Sequence, residues 1–106
     1  KLLKGLELGC DGVITATTNI TGSLAREVYD SFKNNSDLSS NKKLCDVRGC
    51  FEKYNLISGL HTVMSEKNKI FENLLPPLKL LDNNQKKEIL TSLGNLEFEI
   101  ANLKAA

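Results

Sequence analysis

The run Gly12-Val13-Ile14-Thr15-Ala16-Thr17 constrains this chain more than any other stretch. It is β-branched and almost continuous in small apolar character, the pattern of a strand covered on both faces in a parallel sheet. Such a strand needs hydrogen-bonding neighbours on both edges, and the remaining sequence offers no second convincing strand. The strand is therefore expected to be an orphan, with a mainly α fold around it.

The helical segments follow from apolar spacing. Leu2, Leu3 and Leu6 fall at helical intervals, and Gly9 stands where a helix stop belongs, so the first residues read as the tail of a helix. After the strand, expected over about 12–18, Thr21-Gly22-Ser23 can start a helix over about 23–33. Its apolar stripe is Leu24, Ala25, Val28, Tyr29 and Phe32. Residues 34–41 are polar and loop-like. Leu44, Val47, Phe51 and Tyr54 then resume a helical period, followed by a further helix with Leu56, Ile57, Leu60, Val63 and Met64 on its buried face.

Pro76-Pro77 ends any helix, since proline lacks the amide donor and disfavours helical geometry in the residue before it. Asp82 with Gln85 three residues on matches a capping box and opens a last helix. Its seam, Ile89, Leu93, Leu96, Ile100 and Leu103, has a heptad rhythm interrupted in quality by Gly94. Residues 1–33 thus form one β/α unit and residues 34–106 a helical region.

Charge and composition narrow the function classes. The net charge is +1 at a pI near 7.9, and the adjacent basic pairs, Lys42-Lys43 and Lys86-Lys87, make no large basic face, so no nucleic-acid partner is expected. No apolar run reaches the ~18 residues of a membrane span, and no signal peptide is evident; the chain is expected to be cytoplasmic with no membrane partner. Three cysteines, Cys10, Cys45 and Cys50, suit reduced structural thiols rather than a disulfide framework. His61 has no second ligand at metal spacing, so neither metal nor other cofactor is expected.

The stretch Gly12 to Ile20 resembles the eighth barrel strand of the dihydrodipicolinate synthase / N-acetylneuraminate lyase family, where a G-V-I-S-x-T-x-N-V segment is common. Tyr54 to Met64 is similar to the family's helix with an (N/P)-x-I-S-A-L-K character, with His61 at the place of the lysine. Leu74-Leu75-Pro76-Pro77-Leu78 resembles its R-x-P-L-x-P-L turn, with the proline spacing shifted.

This resemblance implies the C-terminal fragment of a (β/α)8 barrel, its last strand and helix, plus a helical appendage. A whole barrel needs about 250 residues. It also implies a class I aldolase parent, in which a barrel lysine forms a Schiff base with pyruvate or a pyruvate-derived substrate and a tyrosine shuttles protons. Both residues are expected upstream of Lys1, leaving no catalytic residue in this chain, and Lys42, Lys43 and Lys53 read as surface lysines. Ile14, Thr15 and Ala16 match positions lining the floor of the family's substrate pocket; Ile14 would serve equally as barrel core. Asn19 belongs either to that pocket's rim or to a turn that bonds its own backbone. A homo-oligomer is expected. The alternative is an independent small helical module whose heptad seam binds a partner helix.

Overall fold

The computed structural model describes residues 1–100 and is helical throughout, with no strand among the described residues. Five α-helices follow one another: α1 Leu2–Glu7, α2 Thr18–Lys33, α3 Ser40–Gly49, α4 Leu56–Ser65 and α5 Asn83–Asn95, with a 3₁₀ turn at Lys69–Glu72. The chain divides into two compact units, Lys1–Asp46 and a second beginning at Val47.

In the first unit, Leu2 and Leu6 of α1 are buried with Ala25 and Val28 of α2, and Leu3, Tyr29, Phe32 and Leu44 pack around them. These are the stripes that the apolar spacing marks out. α1 stops at Gly9, whose φ of 92° is open to glycine at little cost. The Gly9 amide donates to the Leu6 carbonyl (3.0 Å) and that of Cys10 to Gly5 (2.9 Å), closing the last turn. α2 ends in the same way with Asn35 at φ 51°, the amides of Asn35 and Ser36 reaching back to Phe32 and Ser31. Asn tolerates this left-handed geometry better than most residues with a side chain.

The segment expected as a strand over 12–18 forms none. Residues 12–15 have no regular structure, and α2 already begins at Thr18. A β-branched run has no preference strong enough to hold an extended form without a neighbouring strand, and here the polar residues that follow turn the backbone instead. Thr21 departs from helical geometry (φ −108°, ψ 15°), so the regular helix resumes after it, close to the expected start near residue 23.

In the second unit the buried apolar residues are Val47, Phe51, Leu60, Val63, Met64, Ile89 and Leu93. Asn55 caps α4, its side chain accepting from the Ser58 amide at 3.1 Å. Gly59 brings α4 close to Phe51: a Cβ there would stand 3.0 Å from the phenyl ring and 3.8 Å from Cδ1 of Ile89. The Pro76-Pro77 peptide is cis. α5 starts with the expected capping box, the Asp82 carboxylate accepting from the Gln85 amide (2.8 Å) while the Gln85 side chain accepts from the Asp82 amide (3.2 Å).

The heptad seam is shorter than its spacing suggests. Ile89 and Leu93 are buried on α5, but the helix stops at Asn95. Glu97 adopts φ 54°, and the amides of Glu97 and Phe98 fold back onto Gly94 and Leu93. Leu96 and Ile100 therefore lie beyond the helix, and Leu103 lies outside the described residues.

Candidate functional site

Ile14, Thr15 and Ala16 lie together in the irregular segment that leads from α1 into α2, and all three are exposed. Their placement begins with Val13, whose side chain sits over Gly5 of α1; a Cβ at Gly5 would come within 3.8 Å of it. Val13 is thereby only 42% exposed, whereas Ile14 next to it is fully exposed.

The backbone after Ile14 is held by its own polar side chains. Thr18 Oγ1 donates to the Thr15 carbonyl at 2.6 Å, Asn19 Nδ2 to the Ala16 carbonyl at 2.8 Å, and Thr21 Oγ1 to the Thr17 carbonyl at 3.1 Å. The amides of Thr18, Asn19, Ile20 and Thr21 reach the same three carbonyls. Short hydroxyl and carboxamide side chains compete in this way for nearby backbone groups, and the result is a tightly bonded entry to α2. Asn19 thus acts as a turn residue in this structure. Thr17 is buried, and among the described residues its Oγ1 has no hydrogen-bond partner. Spacing alone did not single out Thr21, although its hydroxyl anchors this turn while almost fully buried.

The lysines considered for Schiff-base chemistry stand elsewhere. A lysine that attacks a carbonyl must be neutral, so its pKa has to fall through desolvation or a neighbouring cation. Lys42 shifts the other way, because a hydrogen bond and the negative charge of Asp46 favour its protonated form. Lys53 is likewise raised, first by its hydrogen bond to Glu88 and then by that carboxylate's charge. Both are solvent-exposed ion-pair lysines. Lys43 lies half-buried on α3.

Glu88 gathers a small cluster in the second unit. It accepts from Lys53 and from the Tyr54 hydroxyl, and these bonds hold its carboxyl below the usual carboxylate range. Tyr54 is raised in turn, chiefly by partial burial and then by the bond to Glu88. The sequence gives no sign of this pairing, since Lys53 and Glu88 stand 35 residues apart. An open groove lined by Asn83, Lys86, Lys87, Leu90 and Thr91 runs along the flank of α5, with every lining residue on that one helix. Lys86 is already paired with Glu66.

Among the described residues no three His, Cys, Asp or Glu side chains are grouped to hold a metal ion, and no helix is long and apolar enough to cross a membrane. None of the three cysteines forms a disulfide; Cys10 and Cys45 are exposed and Cys50 is half-buried, so they are not core residues.

No curated protein and no solved structure gives a significant match to the chain. A model of the Dihydrodipicolinate synthetase family matches residues 1–95, nearly all of the 106. The match takes in the Gly12–Ile20 segment, the α4 helix and the Pro76-Pro77 turn in one stretch, and the chain belongs to the dihydrodipicolinate synthetase family.

Proposed function

We propose that the chain is the C-terminal portion of a pyruvate-dependent Schiff-base lyase or synthase of this family, incomplete and inactive alone. Residues 1–33 supply the last β/α unit of a (β/α)8 barrel, and the helices after them form the C-terminal region. The observation that carries the reading is the family match through residues 12–20 combined with the bare state of Ile14. A segment rich in β-branched residues, exposed and without strand neighbours, is accounted for if its neighbours belong to an earlier part of the same protein.

In that setting Ile14, Thr15 and Ala16 line the floor of the substrate pocket. The pocket would take pyruvate or a pyruvate-derived substrate. Small side chains suit such a floor because bulk would occupy the substrate's space. The turn built by Thr18, Asn19 and Thr21 fixes where the segment ends and α2 begins, at the C-terminal end of the strand where barrel active sites lie. The Schiff-base lysine and the proton-shuttling tyrosine come from upstream strands, while Lys42 and Lys53 are exposed lysines paired with Asp46 and Glu88. The protein acts in the cytoplasm as a homo-oligomer, with the helical region contributing to subunit contacts.

Reading the coding sequence upstream of Lys1 tests this directly. The expected result is a series of strands, two of them ending in the catalytic tyrosine and lysine; an unrelated domain would overturn the proposal.

A further inference from the structure

We draw no further inference here: the strongest candidate, the buried Thr17 hydroxyl at the N-terminus of α2, which has no partner among the described residues, belongs to the site already described, and the helix amides beside it already donate to the carbonyls of Thr15, Ala16 and Thr17.

Discussion

The amide of Leu81 donates to the hydroxyl of Thr62, 2.9 Å away, and that hydroxyl donates in turn to the Ser58 carbonyl at 2.7 Å. One buried side chain thus ties the stretch before α5 to the middle of α4. Thr62→Val keeps the shape and removes the acceptor, leaving the Leu81 amide unpaired. We expect a loss of about 1–3 kcal/mol. Thr62→Ser keeps the hydroxyl and should cost only about 0.8 kcal/mol for the missing methyl. Urea unfolding of the two variants checks the order; equal losses would show that the bond to Leu81 contributes nothing.

Gly59 is required by the ring of Phe51, which is fully buried and sits 3.0 Å from where a Cβ would stand. Alanine would favour the helix by about 1 kcal/mol, but forcing a methyl into a packed core costs about 1–3 kcal/mol. Gly59→Ala should therefore destabilise, and the same change in a Phe51→Leu background should be neutral or favourable. A double-mutant cycle in denaturant reads this coupling, and strict additivity would contradict it.

Glu88 gives the second unit a pH dependence of definite sign. Its carboxyl is held below the usual value by Lys53 and Tyr54, so the stability it contributes is present above the unfolded carboxylate value of 4.5 and is lost as pH falls through the lower folded value. Lys53 is raised above 10.5, so its share is present below that value and is lost as pH rises through the folded one. Glu88→Gln should lower the thermal midpoint at neutral pH, with the difference from wild type shrinking in acid. A difference that persists unchanged to the lowest pH would show that the effect is not ionic.

Much of the helical framework was legible in the sequence, because local chemistry dictates it. Gly9 as a stop, Asp82 with Gln85 as a cap, and the stripe from Ala25 to Val28 each depend on residues within a turn or two of one another. The break after Asn95 was hidden because it rests on Glu97 at φ 54°, and glutamate is no signature of left-handed backbone. The absent strand is the converse case. Its residue types are right for a sheet, yet a strand is completed by its neighbours, and without them Thr18, Asn19 and Thr21 direct the local bonding. The pairing of Lys53 with Glu88 joins distant stretches and leaves no trace in spacing.

Ile14 separates the behaviour of the chain alone from its behaviour in a longer protein. It is fully exposed here, so Ile14→Asp should change the stability of the 106-residue chain by no more than about 0.5 kcal/mol. On the proposed reading, in which Ile14 lines the pocket floor or the barrel core of a longer product, the same change there should abolish soluble, active enzyme. Indifference in both settings would remove Ile14 from the proposed pocket.

The most direct test of the central claim is pyruvate trapping with borohydride followed by intact-mass and peptide mapping, applied to the 106-residue chain and to the product of the full reading frame. The account predicts no adduct on the chain alone, whose Lys42 and Lys53 are held protonated by Asp46 and Glu88, and a single stoichiometric adduct on a lysine upstream of Lys1 in the longer protein. A stoichiometric adduct on Lys42, Lys43 or Lys53, or a full-length product that traps no pyruvate at all, would contradict it.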